Sequence, residues 1–302
     1  RGLGDVYKRQ TLKGEGVETW HPRFSYYGFR YIQVEGAVLK GQKNPHRLPV
    51  IQKIQSCFVY NSAPKVSTFQ CSNRIFNEAH RLIEKAVRSN MQSVFTDCPH
   101  REKLGWLEQD HLCGPGLLYN YDLTGFLPQT LQNIADAQHA NGAVPTTAPE
   151  YVVFEGPGMD AFAESPEWGC TFVVLPFMYY ETYGDDSLIR KYYNGMRRYI
   201  DYMTTRANDG IVSFGLGDWY DYGDFRAGFS RNTPVPLVAT AHYYMVVRYL
   251  VEAARMLDNR YDVAYYTHLG EEINKAFHRE FYHKDTRQYG TCLLYTSPSP
   301  RD

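Results

Sequence analysis

The sequence runs to 302 residues, with a formal net charge of −1 at pH 7, 43% hydrophobic and 15% aromatic residues. That balance lacks the basic footprint of a nucleic-acid binder, and no apolar run approaches the length of a membrane span. What remains is a globular chain with a substantial core, long enough for one large domain and part of another. The 26 tyrosines supply much of the aromatic share. Tyrosine gives a core both area and a polar handle.

The two ends read differently from the rest. RGLGDVYKRQ (1–10) and CLLYTSPSPRD (292–302) can be written as translations of one short DNA and its complement. That DNA looks like a transposase adapter of sequencing libraries, so both ends are set aside from fold reasoning. The natural sequence is then expected to be an interior fragment. With Cys292 excluded, the cysteines are Cys57, Cys71, Cys98, Cys113 and Cys170. This odd, scattered set has no C-x-x-C spacing, which argues against a disulfide framework and against a zinc site. His111, His139, His242 and His278 also lack ligand spacing and read as structural or surface residues. No metal and no cofactor are expected.

Residues 17–60 read as strands. FRYIQVEG (29–36) alternates and ends at Gly36, and IQKIQSCFVYN (51–61) is a second candidate. Pro45 and Pro49 punctuate the stretch between them. Residues 11–61 are therefore expected to close a β-sandwich, with 62–71 as a linker to a helical domain over 72–291.

From Ser72 the period changes. Ile75, Ala79, Leu82, Ile83, Ala86 and Val87 fall on one helical face, with Ser72 or Asn73 as N-cap. Further helices are expected near 107–119, 122–140, 168–183, 186–207, 237–258 and 262–280. Their stops are Asn141-Gly142, Gly184, Asp209-Gly210 and Asp258-Asn259. The loops 143–167 and 211–236 hold Pro, Gly, Trp and acidic residues, and long loops in a compact helical domain are usually functional. Gly156-Pro157-Gly158 lacks the following Lys and helix of a phosphate loop, and reads as a movable rim. Successive helices joined as hairpins predict a mainly α chain, a truncated (α/α)6 barrel preceded by the end of a β-sandwich domain. A helical solenoid is the structural alternative, but no fixed repeat period supports it.

The densest polar cluster is TDCPHREKLGWLEQD (96–110). It holds Asp97, Glu102, Glu108 and Asp110 beside His100, Arg101, Lys103 and Trp106. Four carboxylates this close cannot all be cheaply buried and ionised, so one should have a raised pKa, as a general acid requires. Arg101 and Lys103 act the other way on Glu102 if their heads approach it.

The run DCPHREKLGW resembles the signature of the family 78 glycoside hydrolases, the α-L-rhamnosidases. GFRYIQVEG (28–36), FQCSN (69–73), YNYDLTGF (119–126), SPEWG (165–169), YYETYGD (179–185) and GDWYD (217–221) agree in order. The resemblance implies an inverting glycosidase that removes terminal α-L-rhamnosyl residues from glycosides or polysaccharides. It implies Glu102 as general acid and Asp97 as a holder of sugar hydroxyls. Trp168, Asp218 and Trp219 match positions lining the sugar pocket, and Arg101 and Trp106 join them as substrate-binding candidates. Where relatives often have an Asp after GW, this chain has Leu-Glu-Gln-Asp, so Glu108, Gln109 and Asp110 compete for that role. The general base that the resemblance implies is a Glu from the later barrel, beyond residue 291, so this stretch alone is expected to be inactive. The expected partner is a rhamnose-containing oligosaccharide or glycoside.

Asp97, Glu102, Trp168, Asp218 and Trp219 are expected to converge on one pocket, joined by Glu108 or Asp110. The alternatives are a non-catalytic carbohydrate-binding protein, and another (α/α)6 glycosidase or a polysaccharide lyase.

Overall fold

The structure, a computed structural model, describes residues 11–23 and 25–290. The expectation for the two chain ends lies outside the described residues. The chain divides into two compact units, one of residues up to 62 with 71–103, the other of 63–70 with 104 onward.

The first unit contains β1 (Val38–Leu39) and β2 (Val50–Ile51), paired in parallel, and helix α1 (Arg74–Asn90). A turn held by Asn44, whose side chain bonds both the amide and the carbonyl of Leu48, returns the chain between the strands. The longer strands expected over 29–36 and 51–61 do not form beyond Ile51. Alternation marks a half-buried strand only when a neighbour supplies the ladder and the cover. Here Tyr31, Ile32, Val34, Phe58 and Val59 are exposed. Asn73 caps α1 as expected, its side chain accepting from the Ile75 amide at 2.9 Å. The expected core face of α1 is not a core face among the described residues: Ile75, Leu82 and Ile83 are exposed and no residue of the helix is buried.

The second unit is helical. It contains α2 (Glu108–Leu112), α3 (Gly114–Asn120), α4 (Phe126–Ala137), α5 (Asp160–Ala163), α6 (Pro166–Gly169), α7 (Thr171–Tyr183) and α8 (Ser187–Arg206). The hairpin β3 (Asp221–Gly223) and β4 (Phe225–Gly228) follows, then α9 (Val235–Met256), α10 (Arg260–Phe281) and the hairpin β5 (Tyr282–His283) and β6 (Gln288–Tyr289). The helix expected over 107–119 is divided at Cys113, because Pro115 has no N–H to continue the ladder and instead opens α3. The expected linker is not free: Val66 donates to the Asn120 carbonyl at 2.9 Å, and Asp122 to that of Pro64 at 2.8 Å. This segment belongs to the helical unit.

Helix α7 is the centre of the packing, touching α2, α4, α8 and α9. Its residues 171–177 are all buried, so it is apolar nearly all round, as a helix covered on every side must be. Gly195 on α8 lets two helices approach closely, since a Cβ there would lie 2.7 Å from the Phe172 ring. Helices α7 and α8 turn at Gly184, in the left-handed conformation at φ 70°. Helices α9 and α10 form the next hairpin, and Asp258 takes the left-handed turn at φ 54°. Buried Asp262 at the start of α10 accepts from the Tyr193 hydroxyl at 2.7 Å and the Asn259 amide at 2.7 Å, which ties α8 to α10. No helix among the described residues is long and apolar enough to cross a membrane.

Candidate active site

Asp97, Arg101 and Glu102 belong to the first unit. The chain leaves α1 through a tight turn in which Thr96 donates to the Asn90 carbonyl at 3.0 Å, with its hydroxyl 3.0 Å from the Asn90 side chain. The Glu102 amide donates to the Cys98 sulfur at 3.1 Å and closes the next turn. The Arg101 guanidinium meets the Glu102 carboxylate at 2.8 Å, and both side chains are exposed. Lys103 turns elsewhere, donating to the Tyr26 carbonyl at 2.5 Å with its ammonium over the rings of Tyr26 and Tyr27. Half-buried Asp97 lies close enough to Tyr26 that its charge adds to the effect of burial in raising the phenol pKa.

The other six predicted site residues belong to the helical unit. The strand-like stretch 105–107 pairs with 146–148: Leu107 donates to the Thr146 carbonyl at 2.9 Å, and Ala148 to that of Gly105 at 3.0 Å. This bridge fixes Trp106 against the 143–167 loop. Trp106 stacks on Phe154 at 5.3 Å and meets Trp168 edge-on at 6.4 Å and Phe162 at 6.5 Å. Phe162 in turn meets Trp219 at 5.2 Å and Phe229 at 5.6 Å. Three predicted tryptophans from positions 106, 168 and 219 thus share one aromatic wall. Trp168 is its buried backing, at 3% exposure, and Trp106 and Trp219 are the half-buried members.

Carboxylates gather beside this wall. Burial pushes the Glu108 carboxyl up to about 7, with the charges of Glu167 and Asp218 adding to the rise. Glu167 is itself buried, and burial raises it too. One of its oxygens accepts from the Ser165 hydroxyl at 2.5 Å, and that hydroxyl accepts from the Leu216 amide at 2.8 Å. The 211–217 loop can come this close because residue 215 is glycine, at φ 113°. A Cβ there would fall 2.6 Å from the Ser165 hydroxyl and 3.0 Å from Glu167. Asp218 is exposed. Asp110 differs from the expectation of a substrate ligand: it is 4% exposed, burial holds its carboxyl well above the ordinary range, and one oxygen is without a hydrogen bond. One turn of a short helix separates the half-buried Glu108 from the enclosed Asp110.

Sequence reasoning passed over several residues. Glu167 lies inside the SPEWG element, but only its tryptophan was singled out. Phe154, Phe162 and Phe229 needed the loop fold to become visible. Asp221 organises the 217–233 loop, accepting from the amides of Arg231 and Asn232 at 2.7 Å each and of Tyr222 at 2.8 Å. Those amides hold its carboxyl below the ordinary range. His111, Cys170 and His242 also come together, with their nitrogen and sulfur atoms within 4.8 Å of one another. Burial, aided by His242, pushes His111 down to about 4. A separate concavity of about 620 Å³ lies at the α9–α10 turn, lined by Arg255, Asp258, Arg260 and Glu271. It contains none of the predicted site residues.

The model of the bacterial alpha-L-rhamnosidase six-hairpin glycosidase domain matches residues 64–296, and that of the concanavalin-like domain of the same enzymes matches residues 3–60. The chain belongs to the bacterial α-L-rhamnosidase family. It is 28% identical to an alpha-L-rhamnosidase of Formosa agariphila over 95% of this chain and 30% of the relative. It is 30% identical to one of Streptomyces avermitilis over 93% of this chain and 25% of the relative. Among solved family members, the native enzyme of Aspergillus terreus aligns with a TM-score of 0.72 at 26% identity, over 91% of this chain and 31% of that one. The Streptomyces avermitilis enzyme complexed with L-rhamnose aligns at 0.65 and 28% identity, over 75% and 21%. The chain therefore spans about a fifth to a third of the length of these family members. The six-hairpin match makes the observed helix pairs members of an (α/α)6 barrel.

Proposed function

We propose that this segment supplies the acid side of an inverting α-L-rhamnosidase site. Glycoside cleavage needs a protonated carboxyl to deliver a proton to the leaving oxygen and a carboxylate to activate water on the opposite face. The observation that carries the reading is the wall of Trp106, Trp168 and Trp219 with Glu108, Glu167 and Asp218 beside it. A 6-deoxy sugar has one apolar methyl end and several vicinal hydroxyls. An aromatic wall receives the first, and acidic oxygens accept from the second. Glu102 is the proposed general acid, with Asp97 and Arg101 beside it in the motif. Trp106, Trp219 and Asp218 are proposed to touch the sugar, with Trp168 backing Trp106. The Streptomyces relative solved with L-rhamnose supports the choice of sugar.

A second assignment has an observation of its own. Glu108, at about 7, is placed near neutrality where a general acid works best. Glutamine substitutions at the two positions, in a rhamnosidase carrying this segment, separate the assignments. The acid's loss should cost roughly 10²–10⁴-fold on an alkyl or sugar aglycone and far less on a nitrophenyl one. If Glu102→Gln shows that split, Glu102 is the acid. If Glu108→Gln shows it and Glu102→Gln depresses both substrates alike, the roles exchange. If neither variant distinguishes the leaving groups, the acid-side reading fails. Quenching of tryptophan fluorescence by L-rhamnose, lost in Trp219→Ala, tests the wall separately from catalysis.

A further inference from the structure

His111 on α2, Cys170 at the junction of α6 and α7, and His242 on α9 are 59 and 131 residues from one another at the closest and farthest, and no local spacing links them. Their side-chain donor atoms nevertheless lie within 4.8 Å of one another, with Cys170 Sγ and His111 Nε2 at 3.8 Å. The hydrogen bonds around the two rings decide which atoms face the cluster. The Thr171 hydroxyl donates to the Leu107 carbonyl at 2.9 Å, so its oxygen is left to accept from His111 Nδ1 at 2.7 Å. His242 Nδ1 lies 2.9 Å from the Val238 carbonyl, which can only accept. Both rings therefore carry their proton on Nδ1, which leaves Nε2 of each ring without a hydrogen, while the Cys170 thiol donates to the Glu167 carbonyl at 3.3 Å. Two basic nitrogens and a sulfur thus meet with at most one hydrogen among them, carried by a thiol that also has a backbone carbonyl to donate to.

We propose that His111 Nε2, Cys170 Sγ and His242 Nε2 form a transition-metal site, whose two imidazoles and one thiolate suit zinc(II). Zinc takes nitrogen at about 2.0–2.1 Å and thiolate sulfur at about 2.3 Å in a tetrahedron. Such a tetrahedron has a nitrogen–sulfur edge of about 3.5 Å, close to the 3.8 Å between Cys170 and His111. The outer contacts are those metal-bound histidines need: each Nδ1–H is held by an oxygen, which fixes tautomer and ring orientation. Binding breaks the Cys170 S–H bond and forms the sulfur–zinc bond, and the proton passes to solvent. The second, independent observation is Glu167. It is 2% exposed, its Oε1 has no hydrogen-bond partner among the described residues, and its backbone carbonyl lies 3.3 Å from Cys170 Sγ. An unpaired buried acceptor three residues before Cys170 would suit a zinc-bound water. The donor set is three protein ligands with a fourth position open. Both histidines are half-buried, which leaves an entry path, and Cys170 is fully enclosed.

The test strips the purified chain with a chelator and titrates it with cobalt(II), then zinc(II). One equivalent of cobalt should give the intense d–d bands of a four-coordinate site and a thiolate-to-cobalt charge-transfer band, both abolished by zinc. Cys170→Ser should lose the charge-transfer band, and His242→Gln should weaken cobalt binding by at least about tenfold. Circular dichroism identifies variants that fail to fold. For that case, X-ray absorption of the zinc-loaded wild-type chain gives the ligand count directly, with one sulfur and at least two imidazoles expected. No stoichiometric cobalt spectrum, an unchanged charge-transfer band in folded Cys170→Ser, or a zinc shell without sulfur overturns the proposal. None of these readouts depends on hydrolysis, so the site can fail while the rhamnosidase reading stands, and the reverse.

Discussion

Helices α1 and α7 end in opposite environments. Helix α1 has the cleaner amphipathic stripe, yet none of its residues is buried. Helix α7 has almost no amphipathic character, holds Pro176 in its interior, and is enclosed over 171–177. The difference is one of composition as well as partners: α7 is mostly apolar, and α2, α4, α8 and α9 all pack on it. A stripe states which face a helix would bury, and neighbours decide whether it does. Propensity alone stabilises a helix weakly, so most of its stability comes from tertiary packing.

The largest expected effect is a direct attack on that contrast. Phe172 is fully buried, with Tyr192 at 5.8 Å and the Gly195 backbone against its ring. Phe172→Ala should cost about 3–5 kcal/mol, since the lost transfer energy is joined by a cavity that the close-packed helices cannot fill. Urea unfolding at constant m-value measures it. A loss below about 1 kcal/mol would mean that α7 is not the packing centre.

Burial acts on charge by the same logic, and this sharpens the comparison within one site. Exposed Glu102 has a guanidinium for company, whereas half-buried Glu108 faces Glu167 and Asp218. Its folded pKa of about 7 lies above its ordinary value of 4.5. The raised group binds its proton more tightly when folded, so its contribution is present below the ordinary value and lost as pH rises through about 7. The metal-stripped chain should therefore lose stability between about pH 5 and about pH 8, and Glu108→Gln should flatten that change. Thermal midpoints at the two pH values read the effect, and an identical slope in both proteins would remove Glu108 as its source.

What the sequence revealed follows the same division between local and distant causes. Gly184, Gly142 and the Asp209-Gly210 and Asp258-Asn259 pairs were readable as stops, because a left-handed residue is a property of a few neighbouring atoms. The carboxylate crowding of 96–110 reads as a source of raised pKa; Glu108 is raised, but by burial and by Glu167 and Asp218, which lie outside that run. The alternation over 29–36 reads as a strand that does not form, because a ladder depends on a neighbour that local alternation does not name. Trp168 appeared as a pocket wall from its place between Glu and Gly. Trp106, sixty-two positions earlier, meets its ring edge-on. The His111–Cys170–His242 cluster gave no signal at all, since helices α2 and α9 and the α6–α7 junction each supply one atom.

The smallest expected effects belong to α1, and their ranking is the finer test of the comparison. The Asn73 side chain holds the Ile75 amide, one of the donors that a helix start leaves unpaired. Asn73→Ala should cost about 1 kcal/mol whether or not the helix is covered, because the lost hydrogen bond lies within the helix itself. Leu82→Gln removes a side chain that is 57% exposed. It should change stability by no more than about 0.5 kcal/mol, since the leucine gives up little contact and glutamine suits a helix almost as well. For an ordinary amphipathic helix the order is reversed, and the stripe residue costs several times more than the cap. Urea unfolding of both variants under one set of conditions decides the matter. A Leu82→Gln loss larger than that of Asn73→Ala would show that the α1 stripe is covered in solution, and the contrast with α7 would fall.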